Sequence, residues 1–297
     1  MRMRSLTLLL TSALATTAAA QPTDFDAVEV KTTRLGDHVA MLQGAGGNLV
    51  VCFGDDGVVL VDDEYAPMEP KVRAAVAELG AGPIRFVLNT HWHGDHTGGN
   101  AALGESGAII VAHENVRTRL ASDQFVPFFD KTVPASPPAA LPLVTFADGV
   151  SLHLNGGEIA VEHVKNAHTD GDAIVWFRDA KVVHAGDTVF NGFYPYIDSS
   201  SGGSVAGMIA ATDRILAGTD ASWKIVPGHG PLADRAALER YRAMLVGTRD
   251  AVAAAKASGK SMNEVVAAKP TAAWDEAWGG GFLSPERYVA VLYDAIP

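Results

Sequence analysis

The stretch "NTHWHGDHTGGN", residues 89 to 100, places His91, His93, Asp95 and His96 within six positions. Imidazole and carboxylate groups are ligands for divalent metal ions, and their order here has geometric content. In an extended segment positions 91, 93 and 95 point the same way, whereas 96 points opposite unless the chain turns, and Gly94 permits that turn. His91 and His93 can therefore close on one ion while Asp95 and His96 swing towards a second. A histidine-rich surface loop is the plain alternative, but a strand-like run ends just before the cluster and "TGGN" bends the chain just after it. The pattern points to metal binding.

Three later residues occupy comparable places. His168 follows "GEIAVEHV" in "NAHTDGD", Asp187 ends "KVVHAGD", and His229 follows "WKIVPG". In layered α/β proteins the carboxyl ends of strands gather at one edge, where sites are built. Taken singly, each of the three is more often a turn or core residue, and it is their shared placement that selects them. His38, His113, His153, His163 and His184 fall outside the pattern and are assigned to structure, with a supporting contact to the site left open for His184.

The elements that must position these groups are legible as apolar runs. Strands are expected at 39–42, 48–53 and 57–63, a helix at 69–80 with a glycine stop, and a strand at 83–90 leading into the histidine cluster. Strand at 107–113 and helix at 114–121 precede a Pro-rich piece, 126–142, that reads as neither and is expected to be a long loop, either a flap or a connection. The second half repeats the style with four strand-like runs between 150 and 187. Helices are expected at 204–218, 233–259 and 284–296, with a strand at 223–230. No linker or low-complexity segment interrupts 21–297, which reads as a single domain of two similar halves.

Composition narrows the partners. The 297 residues are 48% hydrophobic, enough for a large core. The first twenty have a basic start, an uncharged apolar stretch and small residues at Ala18, Ala19 and Ala20, which predicts a secretory signal at 1–20 rather than a membrane anchor, and hence an exported, periplasmic protein. Removing that segment leaves 21 Lys plus Arg against 34 Asp plus Glu, a formal charge of −13, which argues against nucleic acid as a partner. Cys52 is the only cysteine, so no intramolecular disulfide forms, and its apolar run suits a small buried residue.

Together, HxHxDH at 91 to 96, the later His168, the "GD" ending at Asp187 and the "GHG" around His229 resemble the metallo-β-lactamase superfamily over nearly all of 21–297. The resemblance implies an α/β fold, a four-layer αββα sandwich with a dinuclear site at one edge. By position, His91, His93 and His168 would hold the first metal, Asp95, His96 and His229 the second, and Asp187 would bridge them. Asp62 in "VLVDD" matches the aspartate placed beneath the metal loop in these enzymes. The thiolate-free donor set suits two zinc ions and also admits iron or manganese. Two ions about 3.5 to 4 Å apart would share a water of lowered pKa and supply hydroxide, with Asp95 orienting it and moving its proton.

A small-molecule substrate follows, and export makes β-lactam hydrolysis the leading expectation. Asp187 complicates it. Well-known exported lactamases use a cysteine at the second metal, where Cys52 is badly placed, or lack a bridging aspartate. Asp187 looks more like the thioesterases of the glyoxalase II kind and the lactonases, and no Lys or Arg between Asp187 and Ser204 stands ready to grip a β-lactam carboxylate. A mononuclear-iron sulfur dioxygenase on the same fold and a non-catalytic binding protein are the readings from other classes. The complete ligand set disfavours the second. Directly after Asp187, Phe190, Asn191, Phe193, Tyr194 and Tyr196 are expected to wall the substrate pocket, with Asn191 donating a hydrogen bond, unless they simply pack as an aromatic loop.

Overall fold

Strands buried on both faces need two different apolar neighbours, and the early runs of this chain have them. The computed structural model describes residues 24–80 and 82–296, so the expected export signal lies outside the described residues. A seven-stranded sheet contains β1 (Lys31–Arg34), β2 (Val39–Gln43), β3 (Leu49–Gly54), β4 (Gly57–Val61), β5 (Ile84–Leu88) and β6 (Ile109–His113), and is closed by β9 (Val144–Phe146) after a separate hairpin of β7 (Gln124–Val126) and β8 (Lys131–Val133). A five-stranded sheet holds β10 (Gly149–Leu154), β11 (Gly157–His163), β12 (Ala173–Phe177), β13 (Val182–His184) and β14 (Lys224–Val226).

Alternation along the strands builds four layers. Met41, Val50, Cys52, Val59 and Val61 face the second sheet and pack with Ile159, Val161, Val175, Phe177 and Val182 between the sheets. Their neighbours Leu49, Val51, Val58 and Leu60 face outward onto Val72 and Val76 of helix α1 (Glu69–Glu78). The short helices α2 (Gly94–Thr97), α3 (Asn100–Glu105) and α4 (Glu114–Leu120) follow in the first half. On the far side, Ile174, Trp176, Val183 and Ile225 pack against α5 (Val205–Gly218), α6 (Arg235–Ala257) and, after α7 (Met262–Ala267) and α8 (Asp275–Trp278), α9 (Pro285–Ala295). The architecture is an αββα sandwich.

Both halves use the same device. Strands β1 to β4 pair antiparallel and β4 then pairs parallel with β5 after a crossover through α1, while β10 to β13 pair antiparallel and β13 pairs parallel with β14 through α5. The carboxyl ends of β4, β5, β13 and β14 therefore lie along one edge.

The Pro-rich stretch departs from expectation. Residues 124–133 form the β7–β8 hairpin, with Pro127 opening a turn at Pro127–Phe129 and Asp130 at φ 48° reversing the chain. Proline at the first position of such a turn loses no needed hydrogen bond, so the residues that argued against structure are the ones that close it. Strand β1, "KTTR", escaped notice because an exposed edge strand carries no apolar signal. Among the described residues no helix is long and apolar enough to cross a membrane.

Candidate metal centre

Every sequence-selected ligand lies just beyond a strand. The segment after β5 carries His91, His93, Asp95 and His96, the loop after β11 carries His168, the turn after β13 carries Asp187, and His229 follows β14. The structure brings all seven together. The ligand atoms of His91, His93, His168 and Asp187 lie within 4.8 Å of one another, as do those of Asp95, His96 and His229. Asp187 spans the two groups, with Oδ1 3.1 Å from His96 Nε2, and Oδ2 3.5 Å from His168 Nε2 and 3.4 Å from His229 Nε2.

Three of the rings are oriented from behind. His96 Nδ1 donates to Asp62 Oδ2 at 2.8 Å, and Asp62, at φ 60° after β4, also accepts from Thr90 N and Thr90 Oγ1, both at 2.7 Å. His168 Nδ1 donates to Tyr196 O at 2.9 Å and His93 Nε2 to Asp198 Oδ2 at 3.0 Å. Asp172 receives the N–H groups of His168 and Thr169 and so sets the turn that presents His168. Asp198 and Asp172 are the supporting residues that sequence reasoning missed. The Ser run after Asp198 and the "TDGD" around Asp172 read as loop punctuation, although each is also a side chain-to-backbone capping pattern. His184 donates to Asn48 O and accepts from Gly186 N, so it braces the turn before Asp187 without touching a ligand.

These partners set which nitrogen faces the centre. With their outer nitrogens donating, His93 Nδ1 and His168 Nε2 present lone pairs to each other at 2.9 Å. Two such lone pairs repel unless a cation lies between them. The buried His91 Nε2 and Asp187 Oδ1 also lack hydrogen-bond partners. Metal ions held by the two ligand groups would satisfy these atoms, and the imidazole and carboxylate donors fit them.

The charges within the cluster push its groups in opposite directions. Burial and the neighbouring imidazoles press His91 well below the usual histidine range, and burial chiefly takes His168 down to about 4. Burial would raise Asp187, but His229, His96, His91 and His168 hold it well below the carboxylate range. Burial is also opposed at His229, which Asp187 and Asp95 hold up at about 10. Glycines make the room: a Cβ on Gly228 would lie 1.9 Å from Asp187 Oδ1, and one on Gly47 would lie 2.1 Å from His96 Cε1.

The aromatic segment after Asp187 divides. Phe190 stacks on His229 with centroids 5.3 Å apart, Phe193 packs on Phe190, and the Tyr196 ring lies 5.8 Å from His168 and 6.2 Å from His93. Tyr194 is not at the pocket. It is fully buried, stacked on Tyr288 at 4.1 Å with its hydroxyl donating to Asp275, because it faces the C-terminal helices rather than the edge. The Asn191 amide donates one hydrogen to Pro231 O and its backbone N–H goes to His229 O. It holds the His229 loop.

The sequence model of the metallo-β-lactamase superfamily matches residues 44–238, a span that contains every one of these ligands. The chain belongs to that superfamily. Among its relatives, a hydroxyacylglutathione hydrolase of Methylococcus capsulatus is 33% identical over 42% of this chain and 43% of its own length. A type 2 metallo-β-lactamase of Bacteroides fragilis is 23% identical over 68% of this chain and 80% of its own. The structure of a metallo-β-lactamase from Pontibacter korlensis superposes with a TM-score of 0.61 at 20% identity, covering 73% of this chain and 99% of that one, which shows the shared fold. The chain spans about half the length of the hydroxyacylglutathione hydrolases it matches.

Proposed function

We propose that this protein is a metal-dependent hydrolase that opens a cyclic amide or ester with a water activated between two zinc ions. The observation that carries the reading is the convergence of seven buried or half-buried ligand groups on one edge, with the His96, His93 and His168 rings aimed by neighbours that leave their donor atoms inward. His91, His93 and His168 would hold one ion, Asp95, His96 and His229 the other, with Asp187 reaching both. Bound there, the ions supply a nucleophilic water of lowered pKa and polarise the carbonyl under attack. The chain does the positioning. Asp95 Oδ2, 3.2 Å from His229 Nε2 and 21% exposed, sits on the open side and takes the proton released as the water attacks. The Phe190 and Tyr196 rings beside His229, His168 and His93 exclude bulk water and confine the substrate.

Export, proposed from the basic and apolar first twenty residues, places the enzyme where a β-lactam is met, which makes that the leading substrate. A thioester or lactone is the second reading. It is favoured by Asp187 spanning both ligand groups and by the lack of a Lys or Arg between Asp187 and Ser204 to hold a lactam carboxylate. The test is to count metals in the purified protein and assay a β-lactam, a lactone and a glutathione thioester. We expect two ions per chain and hydrolysis that Asp95→Asn lowers by a factor on the order of 10² or more. A single iron with no hydrolysis of any of the three would overturn the proposal.

A further inference from the structure

Beside the ligands stands a group of aromatic rings of which the chemistry above uses only Tyr196. Tyr196, whose carbonyl holds His168, packs against Phe128 at 4.8 Å and Phe129 at 5.6 Å, and these two meet Phe282 at 6.2 and 6.1 Å. The rings come from three separate segments: the β7–β8 turn, the loop after Asp187, and the turn before α9. The row runs outward from the ligands to the surface, where Phe129 is 49% and Phe282 56% exposed. Single exposed apolar residues need no explanation, but adjoining rings leading from a catalytic edge do.

Each segment is anchored so that the rings stay beside the centre. Val126 and Val133 of the hairpin pack in one apolar cluster with Trp92, which lies between His91 and His93 in the chain. Gly281 abuts Phe193 so closely that a Cβ there would lie 2.3 Å from the Phe193 Cβ, and this contact delivers Phe282 to the rim. The Arg287 guanidinium covers Phe128, 4.4 Å from its centroid.

We propose that Phe128, Phe129, Tyr196 and Phe282 form the wall that binds the acyl side of the substrate, and that this enzyme prefers carbonyl compounds bearing an apolar chain or ring. The inference rests on the hydrolase reading and deepens it by naming the substrate class. A polar substrate would leave Phe129 and Phe282 wet and gain nothing from them, whereas an alkyl or aryl group would remove them from water together with itself. Continuity with His93 and His168 through Tyr196 makes the occupant a substrate of this site.

The test is an acyl series, acetate to octanoate, on one activated ester, with the zinc-loaded protein. A fully buried methylene is worth about a factor of four, so a half-open wall predicts kcat/KM rising about two-fold per methylene, chiefly through KM. The Phe129→Ala/Phe282→Ala double variant is expected to lower the octanoate-to-acetate ratio about ten-fold, and Phe129→Leu/Phe282→Leu to restore most of it by replacing the apolar surface. Calorimetry of octanoate and butanoate binding to the same three proteins gives an answer without turnover. Octanoate binding tighter than butanoate, with the advantage lost in the double Ala variant, supports the wall even if no ester is cleaved, in which case the hydrolase reading alone fails. No chain-length preference in rate or binding, or one that survives the double Ala variant, overturns the inference.

Discussion

Behind three of the ligand rings there is a polar tether: Asp62 behind His96, Asp198 behind His93, the Tyr196 carbonyl behind His168. Beside them, the exposed rings of Phe129 and Phe282 adjoin other rings. The ligand cluster sits on strand ends and tolerates little movement, whereas the rim sits on turns whose side chains contribute area rather than direction. Bond-making groups need their donor atoms aimed, and wall residues need only to be apolar and near, so the two regions should respond to mutation in different currencies.

The largest effect should come from Asp187→Ala, which removes the group shared by both ligand sets. Metal analysis should show loss of at least one ion, and turnover should fall by a factor on the order of 10³. A variant keeping two ions and its rate would separate Asp187 from the centre. Next is Asp62→Ala, which leaves the Thr90 N–H and His96 Nδ1 buried without an acceptor. Metal affinity should drop about 10- to 100-fold. Stability should drop by about 2 to 4 kcal/mol, read from the urea midpoint.

Asp198→Ala sharpens the contrast within the cluster. It releases Ser200 and Ser201 and, of the ligand rings, His93, so the expected loss of about 10-fold in affinity belongs to the ion held by His91, His93 and His168, and metal titration should show the other site unaffected. The rim should behave oppositely to Asp62. Phe129→Ala and Phe282→Ala are expected to change substrate preference while altering stability by less than about 0.5 to 1 kcal/mol, because both rings are already half in water. A large fall in the urea midpoint would make them structural.

The smallest effect is a pH dependence on the rim side. His113 Nδ1 accepts from Asn115 N at the start of α4 and Nε2 donates to Ala147 O, which requires the neutral ring. Burial, with the stacked His163 3.8 Å away, lowers its pKa, so the folded state binds fewer protons than the unfolded chain just below the ordinary histidine value. The contribution is fully present above about pH 6.5 and lost as pH falls through the lowered folded value. Since α4 packs with the hairpin through Val116, Leu120 and Val126, acid should loosen the rim's support, and His113→Phe should flatten the dependence of Tm on pH in that window.

Much of this molecule was determined by sequence alone. Apolar runs with period-two neighbours can be satisfied only by two sheets covered with helices, and metal-binding side chains placed just past such runs must meet at the edge where strand ends collect. His91, His93, Asp95, His96, His168, Asp187 and His229 were therefore legible as a set, and Asp62 through the resemblance to a known family. Tertiary structure decided what passes between segments distant along the chain. Asp198 reaches back to His93 across 105 positions, Tyr196 lies at the ligands while Tyr194 two residues away is core, and the Pro-rich stretch closes a hairpin clustered with Trp92. Loops have no fixed period, so the direction of a side chain there is set by what it packs against.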